Sequence, residues 1–130
     1  MKSFEFEYQI NPVSVNHYWE ISCIKGKPVV RKGKEGIKFR DFIEWTTLSQ
    51  CKKKGIKASF PLVKKPLKVS IAIEYCYQKR PKDIDNILKA LFDALEGILF
   101  QNDSQIYELY VKKRHCKKNL LKIKVFELEE

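Results

Sequence analysis

The densest chemistry in this chain of 130 residues lies between Arg80 and Ile106, in the run RPKDIDNILKALFDALEGILFQNDSQI. Asp83 and Asp85 stand two apart, Lys89 and Asp93 follow at four-residue steps, and Asp103 comes after an apolar segment. Carboxylates that converge without a cation repel and raise one another's pKa values. A hard divalent cation removes the conflict. Magnesium prefers oxygen ligands, keeps waters, and is often held by one or two carboxylates plus a substrate phosphate. It then polarises phosphoryl oxygens and yields hydroxide from a bound water, and a second metal would also stabilise the leaving oxygen. Lys89, one helical turn beyond Asp85, adds a cation that offsets charge on a phosphorane or orients the water. A plainer account uses the same residues. Asp85 would be an N-cap, Asp85-Lys89-Asp93 a surface ladder worth a few tenths of a kcal/mol per pair, and Asp103-Ser104 a turn. Spacing alone leaves both accounts open.

These groups need elements to position them. Ile84 to Leu99 reads as a helix, with Ile84, Ile87, Leu88, Leu91, Leu95 and Ile98 on one stripe, Asp85, Lys89 and Asp93 opposite, and Gly97 as terminator. Leu67 to Tyr77 alternates as a strand and leads directly into Arg80-Pro81-Lys82. The chain would leave that strand at Asp83 and re-enter the sheet near Asp103, which would gather Asp83, Asp85 and Asp103 at one end of the sheet. Ile106 to Lys113 and Leu120 to Leu128 read as two further strands around a turn at His115 to Asn119.

Upstream, Phe4, Phe6, Tyr8 and Ile10 alternate with polar residues as in a half-buried strand, and Asn11-Pro12 ends it. Ile21 to Ile24 and Pro28 to Arg31 are short hairpin arms around Lys25-Gly26-Lys27. Lys34 to Lys53 reads as a helix whose apolar positions are Ile37, Phe42 (or Ile43), Trp45 and Leu48, stopped by Gly55. Phe60 beside Pro61 is either a wedge for unstacked DNA or a pin holding its loop to the core. The order strand, hairpin, helix, strand, helix, strand, strand implies an α+β fold, one domain over residues 1–130 with two main helices on a mixed β-sheet.

The 26 Lys+Arg against 16 Asp+Glu give a net charge of +10, which favours a polyanionic partner such as nucleic acid. Asn16, beside His17, Tyr18 and Trp19, is a candidate contact to sugar-phosphate or an exposed base, or else part of a loop anchored by its aromatics. Arg80, Lys82, Lys112, Lys113 and Arg114 are candidates for DNA-backbone contacts, or else solvated charges on strand edges. No apolar run is long enough to span a bilayer and no signal-peptide core is present, so a cytoplasmic protein without membrane attachment is expected. Cys23, Cys51, Cys76 and Cys116 lie far apart without a CxxC pair, which argues against zinc and for four free thiols.

The run RPKDIDNILKALFDALEG followed by NDSQI resembles the RusA family of Holliday junction resolvases. A weaker echo lies near Asn11 to Trp19 and near Lys38 to Asp41. The resemblance implies a magnesium-dependent endodeoxyribonuclease that acts as a homodimer on four-way DNA junctions and makes paired nicks in recombination and repair. It implies catalytic and metal-binding roles for Asp83, Asp85 and Asp103, a catalytic role for Lys89, and a supporting role for Asp93. The family commonly has two adjacent aspartates at the second motif. Asn102 replaces the first, which predicts weaker metal affinity. The competing readings are a non-catalytic basic DNA-binding module and a magnesium nuclease for flaps, other branches or RNA.

Overall fold

A computed structural model describes the backbone of residues 2–14, 19–57 and 59–128, and the side chains of these except 19–24 and 29–32. The first strand, β1 (Ser3–Tyr8), buries Phe6 and Tyr8 and exposes Glu5 and Glu7, as its alternation requires. A hairpin follows, β2 (Trp19–Ile24) and β3 (Lys27–Lys32). Its two-residue loop, Lys25-Gly26, has positive φ at both positions (52° and 76°), the twist that joins antiparallel strands closely. Helix α1 (Lys34–Lys53) leads to β4 (Lys68–Tyr77), α2 (Ile84–Leu95), a 3₁₀ turn (Asp103–Gln105), β5 (Ile106–His115) and β6 (Leu120–Leu128).

Four strands form one mixed sheet in the order β1-β6-β4-β5, and β2-β3 stand apart as a ribbon. β6 runs antiparallel to both β1 and β4, while β4 and β5 are parallel. The core is built from Val69, Ile71, Ile73 and Tyr75 of β4, Leu121, Ile123 and Val125 of β6, and the apolar stripes of the helices. This is the expected α+β architecture. No helix among the described residues is long and apolar enough to cross a membrane.

Two local expectations need correction. The buried face of α1 is Phe39, Ile43, Thr47 and Cys51, whereas Ile37, Trp45 and Leu48 are exposed, Trp45 at 73%. Apolar residues surround this helix, so periodicity did not select a face. A buried polar chain does: the Tyr8 hydroxyl meets Thr47 Oγ1 at 2.7 Å, and Thr47 donates to the Ile43 carbonyl at 2.7 Å.

The second correction is that α2 ends at Leu95, not Leu99. Gly97, at φ +82°, turns the chain, and its N–H donates to the Phe100 carbonyl at 2.7 Å. The carbonyls of Ile98 and Leu99 then accept from the N–H groups of Leu62 and Val63. Ile98, Leu99 and Phe100 are buried through this turn rather than by helix packing. Phe60 is half-buried against the core, which makes it a pin for its loop.

Candidate active site

The chain leaves β4 at Tyr77 and crosses Gln78 to Asp83 before α2 begins. Side chains hold this connection at both ends. The Gln78 N–H donates to Asn119 Oδ1 at 2.9 Å, and the Lys82 N–H donates to the Tyr75 hydroxyl at 3.1 Å. Arg80 between them sits at φ 53°, the left-handed region that a non-glycine residue occupies at a cost of about 1 kcal/mol or more. That strained turn redirects the chain toward the helix start.

The N-cap of α2 is Asp83, not Asp85, and the Asp83 carboxylate makes no capping hydrogen bond. A carboxylate at an N-cap ordinarily accepts from the first-turn amides. Here Asp83 is exposed and leaves that role unused, and Asp85 is exposed in the first turn. The positive end of the helix dipole favours both charges. Lys89 is exposed one turn further along. Asp93, on the same helical row, is half-buried, and its main-chain carbonyl accepts from Arg40.

Basic groups share this end of the sheet. Tyr77 pairs with His115, and Cys76 with Arg114, so the last residues of β5 lie beside the exit of β4. Lys113 Nζ sits 5.8 Å from the Tyr77 ring centroid, and the Tyr77 and His115 rings meet edge to face at 5.5 Å. Arg114 pairs with Glu74. That hydrogen bond holds the Glu74 carboxyl below the usual carboxylate range, against a smaller opposing effect of burial. Lys82 is half-buried, and burial lowers its ammonium pKa while the nearby Glu35 carboxylate pulls it back up. Arg80 and Lys112 are exposed. Asn16 lies outside the described residues.

A groove of about 450 Å³ opens beside Lys82. Its floor is Phe39 and Phe42, its wall is Ile10 to Ser14, and Glu35 and Lys38 stand on its rim. Asn11 Oδ1 is buried here without a hydrogen-bond partner. Glu35 and Lys38 did not stand out in sequence as parts of one site. They are separated from Lys82 by more than forty positions, and only the packing of α1 near the start of α2 unites them.

Asp103 is elsewhere. β4 and β5 are parallel, with Val69 opposite Ile106 and Tyr77 opposite His115. A parallel crossover returns the chain to the end of the sheet where the first strand began. Asp103, just before Ile106, is therefore about 26 Å of strand away from the β4 exit. Its N–H donates to Glu96 Oε1 at 3.0 Å, which ties it to the far end of α2. The expectation that one chain gathers Asp83, Asp85 and Asp103 is thus overturned by strand direction. Among the described residues, no three His, Cys, Asp or Glu side chains lie close enough to hold a metal ion.

The turn around Asp103 explains its neighbours. Asn102 Oδ1 accepts from the Ser104 N–H at 2.9 Å, and Gln105 Oε1 accepts from the N–H groups of Gln101 and Asn102 at 2.7 and 2.9 Å. Gln105 Nε2 donates to the Leu67 carbonyl at 2.8 Å. This is a capping box, in which Asn and Asp serve about equally. Asn102 is engaged in shaping the turn, so its amide costs the turn nothing. Cys51, Cys76 and Cys116 are free thiols, as expected; the Cys23 side chain is outside the described ones.

With this geometry in view, the chain matches the family model for endodeoxyribonuclease RusA over residues 11–126, nearly its whole length. No curated protein matches it.

Proposed function

The chain belongs to the RusA endodeoxyribonuclease family, and on that premise we propose that it is a magnesium-dependent nuclease that resolves four-way DNA junctions by paired nicks. The observation that carries the reading is the head of α2. Two exposed carboxylates, Asp83 and Asp85, stand there unspent on capping, beside Arg80 and Lys82 and near the basic end of β5.

These residues fit a divalent cation. Two carboxylates two residues apart, at the N-cap and in the first turn of α2, offer the one or two protein ligands that magnesium commonly accepts, with water and phosphate completing its shell. When bound, the metal supplies Lewis acidity at the phosphoryl oxygen and a more acidic water. The chain's own groups do the rest. Lys89 places a cation beside the carboxylates, where charge accumulates during phosphodiester cleavage. Arg80, Lys113 and Arg114 bind flanking phosphates, and the groove at Lys82 receives the strand as it leaves the site.

Asp103 joins the site as the partner's Asp103 in a homodimer, because a single chain holds it at the opposite end of the sheet. A two-fold axis also supplies the two active centres that paired nicks require. Two copies of a +10 chain make a broad basic face, and affinity for a junction falls steeply with salt through counterion release.

The test is an end-labelled four-way junction at low salt with magnesium or EDTA, comparing wild type with Asp85→Asn. Expected are symmetric nicks that need both magnesium and Asp85, with the variant at least 100-fold slower but still binding. A junction that is shifted yet uncut by wild type would leave a non-catalytic DNA-binding module. Equal cleavage of flaps or RNA would leave a nuclease of different preference.

A further inference from the structure

Two of the described thiols meet at the end of the sheet where β4 hands the chain on. Cys76 lies next to last in β4 and pairs with Arg114 of β5 on one side and Leu120 of β6 on the other. Cys116 follows His115, the last residue of β5, and its N–H donates to the Tyr77 carbonyl at 2.8 Å. The β4–β5 ladder thus runs one bond beyond the strand. Residues two apart along a strand share a face, so Cys116 emerges on the side of Arg114 and Cys76, and there the two thiols interact directly. Their surroundings differ. Cys76 is 1% exposed, and its Sγ donates to Glu74 Oε1 at 3.5 Å. Cys116 is half-buried, its Sγ donates to the Arg114 carbonyl at 3.8 Å, and Lys113, Arg114, Lys117 and Lys118 flank it in sequence. A partly exposed thiol in an electropositive setting is where oxidants act, whereas a buried thiol is inert until a neighbour presents an oxidised sulfur.

We propose that Cys116 and Cys76 form a dithiol modification site, in which hydrogen peroxide oxidises Cys116 and Cys76 then closes a disulfide. In the first step the Cys116 sulfur attacks one peroxide oxygen. The S–O bond forms, the O–O bond breaks, and the leaving hydroxide takes the thiol proton and departs as water, which leaves a sulfenic acid. In the second step the Cys76 sulfur attacks the sulfenic sulfur. The S–S bond forms, the S–O bond breaks, and the departing hydroxide takes up the Cys76 proton, for which Glu74 Oε1 is the nearest acceptor. The sum is two thiols and one peroxide to one disulfide and two waters, with the sulfur pair oxidised by two electrons and the peroxide reduced by two.

The residues between the two sulfurs, 77–115, carry α2 with Asp83, Asp85 and Lys89, the 3₁₀ turn with Asp103, and β5. The bond closes this whole crossover into one loop and fastens the exit of β4 to the exit of β5. A cross-link over a loop of that length stabilises chiefly by restricting the unfolded chain. One sulfur remains near the surface, where small thiols reach it, so the change is reversible. The remaining described thiol, Cys51, is fully buried on α1 and takes no part. The site stands whether or not the chain cuts DNA.

The test treats the full, reduced chain with hydrogen peroxide and reads intact mass and a peptide map made without reductant. Expected are a loss of about 2 Da, a linked pair of peptides carrying Cys76 and Cys116, and full return on adding dithiothreitol. The linked form is expected to melt about 5 °C or more above the reduced form. Cys116→Ser is expected to abolish the mass loss and leave Cys76 reduced. Cys76→Ser is expected to stop at the first step, with Cys116 trapped as its dimedone adduct. Cys51→Ser is expected to link as wild type does. A wild type that stays reduced overturns the proposal, and so does one that gains oxygen at both thiols without linking. A link that joins Cys23 or Cys51 instead overturns it too. So does a Cys76–Cys116 link that forms only in urea, since the two thiols would then stand apart in the folded chain.

Discussion

Removing the Arg40 guanidinium should destabilise the protein by about 3 kcal/mol. Arg40 Nη1 approaches three carbonyls at the end of α2, those of Ala94 at 2.8 Å, Glu96 at 2.9 Å and Asp93 at 3.3 Å. One nitrogen carries two hydrogens, so the two short contacts are full bonds and the long one is shared. α2 has no basic residue in its own last turn, so this cation from α1 meets the negative end of the helix dipole. Each charge-assisted bond contributes about 1.5–3 kcal/mol, and partial exposure of Arg40 lets water recover part of that in the variant. The net is about 3 kcal/mol for Arg40→Ala and about half for Arg40→Lys, which keeps the charge but loses the forked geometry. For a chain of this length that corresponds to a fall in Tm of about 10 °C. Thermal unfolding followed by circular dichroism measures it. A fall under about 3 °C for Arg40→Ala would falsify the idea that α2 is held at its C-terminus from α1.

Three further outcomes follow from the same geometry. Gly97→Ala places a Cβ at φ +82°, in ordinary contact with Arg40 Nη2 at 3.5 Å, and the backbone conformation alone should cost about 1 kcal/mol in urea unfolding; an unchanged midpoint would refute the strain argument. Glu74 has its carboxyl held low by Arg114, so the pair stabilises above the ordinary carboxylate pKa and is lost as pH falls through the folded value. Glu74→Gln should flatten the stability profile below about pH 4.5, and an unchanged acid limb of the titration would count against the pair. The Cys76 thiol is pushed up to about 12, mainly by burial, then by its contacts with Cys116 and Glu74. At pH 8 it should react with iodoacetamide well over tenfold more slowly than Cys116, read by mass mapping; equal rates would mean the β4 end opens in solution.

Sequence was most informative where one pattern had one interpretation. β4 and β6 alternate cleanly, and α2 has a single apolar stripe with its charges opposite, so their positions were legible within a few residues. Helix α1 was not, because Ile37, Trp45 and Leu48 compete with Phe39 and Ile43, and the deciding contact is the hydroxyl pair of Thr47 with Tyr8, 39 residues away. The site divides the same way. Asp83, Asp85 and Lys89 are close in sequence and remain close at the head of α2. Asp103 was misplaced because spacing along the chain carries no strand direction. Its location follows only from β4 and β5 being parallel. The groove at Lys82 was beyond reach for a related reason, since it joins segments from three parts of the chain.

The sheet's two edge strands, β1 and β5, govern how far this chain can assemble. A sheet with two open edges grows indefinitely, because every added copy exposes a fresh template, and such growth ends in fibres. Gln50 of α1 and Lys54 at its C-cap close the β1 edge by bonding the outward groups of Glu5 and Glu7. Strand addition can then proceed from the β5 side only. Two side chains far from the head of α2 thereby guard the sheet against open-ended growth, and their loss would be felt first as insolubility.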